Sequence, residues 1–161
     1  MKKVQEGNLV SVPLADGRFS VGVIARVEKI RPRKPYGIFV YFLRPFARAE
    51  SVLSDESYLN IENSVLRVKT SALDIYSGLW KTIGRIGPWN RDTWPLPDLF
   101  HNSLGSNIFY RIKLDERDLI TQINKIRMID RGGPDSNDLY GSLAAQEEVS
   151  KQMSNLKMVD A

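Results

Sequence analysis

The stretch from Glu6 to Leu43 constrains the fold more than any other part of the chain. Its first largely apolar run, Leu9–Leu14, is separated from the next by the dipeptide Asp16-Gly17. Asp-Gly between two apolar runs is a strong hairpin signal, because glycine adopts the positive φ that a tight turn requires. The sequence therefore predicts an antiparallel hairpin with its turn at residues 15–17.

The run that follows the turn alternates between two kinds of side chain from Arg18 to Glu28. One predicted face is apolar and consists of Phe19, Val21, Val23, Ala25 and Val27. The opposite face consists of Ser20, Gly22, Ile24, Arg26 and Glu28. A period of two with one apolar face predicts a strand that is buried on one side only.

The next apolar run is Ile38–Leu43, which is short and rich in strand-forming residues. A run of this kind predicts a strand that is covered on both faces. The three segments together predict a meander that begins the fold. Further strands are predicted at residues 65–68, 107–114 and 123–129, and Asp115–Asp118 predicts a polar turn between the last two.

A chain of 161 residues is long enough to bury one core and short for two ordinary domains. We predict a single domain over residues 1–161, β-rich at 4–130, with a linker at 131–138 and a C-terminal helix at about 142–157. The predicted fold class is mainly β (β-rich α+β), as a twisted antiparallel sheet or partial barrel that carries this helix.

Composition excludes several kinds of site. The chain has no cysteine, which rules out disulfides, thiolate metal sites and cysteine nucleophiles. It has one histidine, His101, and a zinc site normally needs more imidazole ligands. No window is apolar for long enough to span a membrane, and no signal peptide is recognisable. We expect a soluble cytoplasmic protein with no cofactor and no metal.

The net charge of +4 and a pI of about 9.4 raise the question of nucleic-acid binding. The basic residues cluster only at Lys29–Lys34, between two predicted strands. Prolines 32 and 35 interrupt strand pairing there, so the simplest interpretation is a solvated connection. The alternative is a loop that faces phosphates or acidic groups, beside Tyr36.

The segment Gly87–Phe100 is the least regular part of the chain. Its three prolines exclude a regular helix or a central strand. Its two tryptophans are too apolar to remain in water, so the segment must lie against a surface. That surface is either the protein's own sheet or, for part of the aromatic area, a binding partner.

No spacing in the sequence matches a known catalytic motif. A Gly-x-Ser-x-Gly elbow, a phosphate-binding Gly-x4-Gly-Lys loop and a His-x-x-x-His pair are all absent. Asp92 and Asp98 flank the tryptophans and would suit acid–base chemistry as a pair, but nothing in the sequence brings them together. The residues alone therefore predict no enzyme.

Several short motifs are shared with a known family. They are Gly7-Asn8 before an apolar strand, Pro13-Leu14, Asp16-Gly17 followed by Phe19 and Gly22, Leu73 with Gly78-Leu79-Trp80-Lys81 and Ile83-Gly84, Trp94-Pro95 with Pro97 and Phe100, and Leu139-Tyr140-Gly141. In these motifs the chain resembles the immunity protein 26 family of bacterial polymorphic toxin systems. Some members of that family are named phosphotriesterase.

The resemblance implies a cytoplasmic antidote that binds a cognate toxin domain and blocks it without catalysis. Interfaces concentrate binding energy in aromatic and arginine anchors, so the predicted partner-binding residues are Trp89, Arg91, Asp92, Trp94, Arg33 and Tyr36. A nucleic-acid-binding β-barrel module is the alternative, and a phosphotriester hydrolase is a more remote one.

The basic charge departs from what nuclease antidotes often show, which is an acidic surface that matches a basic toxin. Two explanations remain open for this chain. Either its toxin has an acidic face, or aromatic and apolar burial drives the contact.

Overall fold

A computed structural model describes residues 3–48, 51–102, 108–128, 136–140 and 150–151. Within them lie nine strands and two short helices: β1 (Asn8–Pro13), β2 (Phe19–Val27), β3 (Gly37–Leu43), α1 (Ser51–Ser54), β4 (Ser64–Ser71), α2 (Leu73–Ser77), β5 (Lys81–Arg85), β6 (Leu99–Asn102), β7 (Phe109–Leu114), β8 (Gln122–Met128) and β9 (Ser136–Tyr140). The prediction of a mainly β fold is confirmed.

The strands form one sheet in the order β5-β1-β2-β3-β4-β9-β6-β7-β8. Strand β9 pairs parallel with β4 and with β6, while the other pairings described are antiparallel. The first three strands are neighbours, so the predicted meander is confirmed. Residues 136–138 of the predicted linker belong to β9, because the Gly-Gly-Pro breaker ends before them and β4 and β6 offer them a ladder.

The predicted first hairpin is confirmed in its turn as well. Gly17 has a φ of +85°, and the backbone N–H of Leu14 donates to the carbonyl of Arg18 at 2.9 Å. This is the conformation for which glycine is selected, since a side chain at positive φ is strained. The Asp-Gly signal therefore fixed the register of β1 against β2.

The predicted face assignment of β2 is wrong from Arg26 onwards, whereas Ala25 shares the second face with Val21 and Val23 as predicted. Ile24 lies opposite Val40 and Arg26 opposite Phe39, so Ala25 is an extra residue in a β-bulge. A bulge interrupts the alternation of side chains, and it turns Arg26 towards the face that carries Phe39. The strand is also buried on both faces, where the alternation predicted burial on one.

Both faces of the central strands are buried. The first core includes Val10, Ile24, Val40, Phe42 and Trp80. The second core, on the other face, includes Val21, Tyr41, Trp94, Leu99 and Ile112. Because β1–β3 and β6–β7 supply side chains to the same second core, the sheet curls so that its two halves face each other.

The predicted C-terminal helix at about 142–157 lies outside the described residues except at Ser150 and Lys151, which are helical. The Ser150 hydroxyl accepts a hydrogen bond from the backbone N–H of Ala15 at 3.2 Å. Among the helices that the structure describes, none combines the length and the apolar character needed to cross a membrane.

Candidate functional site

Arg26 is the centre of the most elaborate polar arrangement in the described structure. Its side chain is 5% exposed, and its Nε donates to Glu116 Oε1 at 2.7 Å. Its Nη1 donates to the carbonyls of Trp94 and Ala25 at 2.8 and 2.7 Å. A buried guanidinium must be paired and hydrogen-bonded to be tolerated, and these contacts meet that need.

The segment at residues 86–98, called here the tryptophan loop, is fixed to the sheet at Trp94. Trp94 is 3% exposed and meets Tyr41 edge to face at 5.2 Å between ring centroids. The Tyr41 hydroxyl donates to the carbonyl of Pro95 at 2.5 Å. Aromatic packing and main-chain hydrogen bonds therefore hold the loop without regular secondary structure.

Trp89 holds the first half of the same loop. Its indole Nε1 donates to Glu6 Oε2 at 3.3 Å, and its ring packs on Gly7. A Cβ on Gly7 would lie 3.1 Å from Trp89 Cε3, and Gly7 has a φ of +85°. Glycine is therefore required at this position both for the backbone and for the close approach of the ring.

Charges of alternating sign continue from Arg26 across the loop. Arg91 Nη2 donates to Glu6 Oε1 at 3.2 Å and lies 3.3 Å from Glu116 Oε2. Glu6, Arg91, Glu116 and Arg26 thus form one ion-pair chain, which we call the charge network. It joins the N-terminal segment, the tryptophan loop, β2 and the turn after β7.

Two opposing effects act on the pKa of Glu116 in this network. Burial alone would raise the pKa of Glu116, but the hydrogen bond from Arg26 and the positive charges of Arg26, Arg91 and Lys29 outweigh it and lower the pKa. Glu116 is therefore ionised at neutral pH, as its role between two arginines requires.

The turn between β7 and β8 is held by hydrogen bonds to the Asp118 side chain. The Asp118 carboxylate accepts hydrogen bonds from the backbone N–H groups of Ile120 and Thr121, each at 2.8 Å. Leu119 has a φ of +59° and is 2% exposed in the second core. A leucine at positive φ is strained, so its burial compensates for an unfavourable backbone.

The same turn also contacts the β2–β3 connection, residues 28–36. The backbone N–H of Lys29 donates to the carbonyl of Arg117 at 2.7 Å. Arg117 in turn pairs with Asp115, and this hydrogen-bonded pair lowers the pKa of Asp115 to about 2. Burial would raise the pKa of Asp118, but its hydrogen bonds with Thr121 and Ile120 lower it.

An open depression of about 430 Å³ lies beside the charge network. It is lined by Arg26, Arg91, Asp92, Pro95, Leu96, Pro97, Lys113, Leu114, Glu116 and Ile123. Charged groups and apolar groups share this lining, and Ile123 is 59% exposed. A surface of this kind suits a macromolecular partner that brings both polar and apolar groups.

The structure separates the predicted partner-binding residues into three groups. Arg91 and Asp92 line the depression, whereas Trp89 is half-buried and Trp94 is in the core. Arg33 and Tyr36 are exposed on the β2–β3 connection and are not among the residues that line the depression.

Sequence reasoning missed three members of the charge network. The alternation assigns Arg26 to the wrong face, Glu116 lies in the predicted polar turn without a role, and Glu6 only marks the beginning of the stretch that ends at Leu43. One signal was available, since an arginine between Ala25 and Val27 in an apolar strand needs a buried partner. That signal does not identify the partner, which lies 90 residues further along the chain.

The proposed carboxylate pair and a metal site find no support at the depression. Asp98 Oδ2 lies 3.6 Å from Arg111 Nε, and Asp98 is not among the lining residues, unlike Asp92. Among the described residues, no group of three or more histidine, aspartate or glutamate side chains could hold a metal ion.

Comparison with known protein families gives a match over most of the chain. A family model described as Immunity protein 26 matches residues 5–118, more than two thirds of the chain. No curated protein and no solved structure matches significantly. The matched segment contains the whole charge network and the tryptophan loop, and it ends before β8.

Proposed function

The chain belongs to the immunity protein 26 family, and on that premise we propose that it binds and neutralises a cognate polymorphic toxin domain. Neutralisation is by binding alone, without catalysis, and takes place in the cytoplasm. The observation that carries this proposal is the depression beside the tryptophan loop, because it joins exposed apolar groups to charges that are already oriented.

Preorganisation is the first support for this site. Binding loses free energy when loops and side chains become ordered, and a surface that is ordered beforehand avoids this cost. The tryptophan loop is fixed by Trp94 in the core, by Trp89 on Gly7 and by Arg26 on its carbonyls. These contacts therefore hold the backbone that carries the exposed groups of the loop.

The chemistry of the exposed groups is the second support. Protein interfaces combine an apolar centre with a polar rim and favour arginine as an anchor. Leu96 and Ile123 provide apolar area, while Arg91 and Asp92 provide charges of opposite sign. We propose Arg91 and Asp92 as direct contacts, Trp89 and Trp94 as supports of the loop, and Arg33 and Tyr36 as outlying contacts.

The test is co-expression with the C-terminal domain of a large secreted protein encoded immediately upstream. We expect restored growth and a complex that survives size-exclusion chromatography. Asp92→Arg should then weaken binding about tenfold, as loss of an anchor does. Glu62→Arg is the matched control, because Glu62 is an exposed acid outside the depression.

Two results would contradict the proposal. A toxic domain that the chain neither binds nor neutralises would overturn the function. Equal effects of Asp92→Arg and Glu62→Arg on affinity would leave the function intact but remove the depression as its site.

A further inference from the structure

Among the strands that the structure describes, β8 lies at one edge of the sheet. It is the last strand in the order and has a described partner, β7, on one side only. Its residues Gln122–Arg127 are all exposed. With seven residues it is longer than the usual strand of about 5–6 residues, so it offers a long row of backbone donors and acceptors.

β8 carries only some of the features that protect an edge, namely two cationic side chains and a register shift against β7 at Ile123. It contains no proline, and Lys125 Nζ lies over the ring of Tyr110 on β7, at 4.0 Å from the centroid. The lysine thus leans towards the sheet and away from the open edge. The opposite edge, β5, has only five residues, which makes it a shorter template than β8.

The charge of the β7–β8 hairpin selects the kind of strand that could be added. The two strands carry four cationic side chains and no acidic one: Arg111, Lys113, Lys125 and Arg127. Pairing of β8 with β8 of a second copy would bring Lys125 and Arg127 near the same residues, and like charges across strands are destabilising. An added strand with acidic side chains is favoured instead.

The edge also continues into the depression. Ile123, at the start of β8, lines it, and exposed isoleucines follow along the hairpin: Ile120 is 66%, Ile123 59% and Ile126 40% exposed. An added strand would lie beside the exposed side chains of Ile123 and Ile126. The edge and the depression are therefore one surface.

We propose that β8 is the docking edge for an extended acidic segment of the toxin domain, which adds to the sheet as a further strand. In this mode, main-chain hydrogen bonds supply affinity and side chains at alternate positions supply selectivity. The inference rests on the proposed function and adds the binding mode to it.

Hydrogen exchange on the complex with the upstream toxin domain tests the inference directly. The outward-pointing amides among residues 122–128 should exchange at least about tenfold more slowly in the complex than in the free chain, because their N–H groups become hydrogen-bonded. A complex in which these amides exchange at the free rate overturns the docking edge and leaves the proposed function standing. If no complex forms and toxicity persists, the proposed function itself fails.

Proline substitutions give a second test, in which the loss of a backbone N–H is distinguished from the loss of a side chain. Neighbouring N–H groups of a strand point to opposite edges, so only one of Lys125→Pro and Ile126→Pro removes a bond to β7. The variant with the higher Tm has lost the outward N–H, and we expect it to bind the toxin domain about tenfold more weakly.

The controls are Lys125→Ala and Ile126→Ala, which keep their N–H groups. The alanine variant at the same position should bind more tightly than its proline counterpart. Equal affinity of the two would overturn the docking edge, and if both proline variants unfold, the hydrogen-exchange result decides.

Discussion

At the scale of single residues, Arg26 is a buried charge that needs several hydrogen-bond partners, and the sequence does not identify them. The bulge at Ala25 turns its side chain to the second core, where four hydrogen bonds satisfy it. Removing one partner of a buried charged group leaves the others unsatisfied. We therefore expect Arg26→Met to lower the free energy of unfolding by about 3 kcal/mol in urea titrations.

The matched control for Arg26→Met is Arg117→Met. Arg117 also pairs with a carboxylate, but its side chain is 79% exposed, and exposed pairs contribute little. We expect its unfolding midpoint to stay close to that of the unmodified protein. Equal losses in both variants would show that burial of Arg26 does not set its importance.

Glu116 gives a pH dependence with a definite sign. Its pKa is lower in the folded chain than the ordinary value of 4.5, so the ionised form stabilises the fold. This contribution is complete above the ordinary pKa and is lost as the pH falls through the lowered value. The Tm of the unmodified protein should exceed that of Glu116→Gln at about pH 7, and the gap should close at about pH 3. A gap that widens on acidification would contradict this.

Gly22 tests packing between the central strands. A Cβ at Gly22 would lie 2.9 Å from both Val10 Cγ2 and Val40 Cγ1, in the fully buried first core. We expect Gly22→Ala to lower the free energy of unfolding by about 1–3 kcal/mol, since overpacked cores must distort. Gly84→Ala is the comparison: its Cβ would meet Leu53 Cδ2 at 2.9 Å, but Leu53 is 42% exposed and can move. Chemical denaturation should show the smaller loss for Gly84→Ala.

At the scale of elements, local patterns predict strands better than they predict faces. The Asp16-Gly17 turn and the run Ile38–Leu43 each carry their signal within a few residues, and both predictions are confirmed. The bulge in β2 was not predictable from the sequence, because it is defined by the pairing of β2 with β3. The alternation of apolar and polar residues along β2 does not reveal it. Because of this one extra residue, Arg26 lies on the opposite face of β2 from the one predicted.

The tryptophan loop shows the same limit for the site. Its proline and tryptophan content predicted an irregular segment pressed against a surface, and Trp94 indeed packs in the second core. The composition does not distinguish a tryptophan that packs inward from one that is half-exposed. That distinction depends on Tyr41, Gly7 and Glu6, which lie on distant parts of the chain.

Trp94 and Trp89 should therefore differ in stability. We expect Trp94→Ala to cost about 3–5 kcal/mol of unfolding free energy, because it removes a buried ring and its contact with Tyr41. Trp89→Ala should cost about 1–2 kcal/mol, because the ring is half-buried and loses one hydrogen bond to Glu6. Urea unfolding measures both, and the reverse order would contradict the assignment of Trp94 as the main anchor of the loop.

At the scale of the whole molecule, the order of the strands in the sheet could not be predicted from the sequence. A mainly β fold follows from repeated strand signals, but β9 lies between β4 and β6 although it is the last of the described strands along the chain. Nothing local requires that position, which depends on two parallel pairings across the sheet. The same curling of the sheet brings Glu116 to Arg26 and so creates the charge network.

The net charge of +4 leads to the last prediction, which concerns association with the toxin domain. Strands β7 and β8 carry four cationic side chains and no acidic one, so an acidic partner surface should be attracted to them before contact. We expect the association rate to fall steeply between about 50 and 500 mM salt while the dissociation rate changes little. Stopped-flow or surface-based kinetics separate the two rates.

Charge reversals locate the origin of that attraction. Lys125→Glu with Arg127→Glu should reduce the association rate and its salt dependence, whereas Arg31→Glu with Arg33→Glu on the β2–β3 connection should have a smaller effect. An association rate that does not change with salt concentration would mean that aromatic and apolar burial drives the contact. The unmodified chain could instead retain an oligonucleotide at low salt. If Arg31→Glu with Arg33→Glu then abolishes this retention, a nucleic-acid-binding module is favoured.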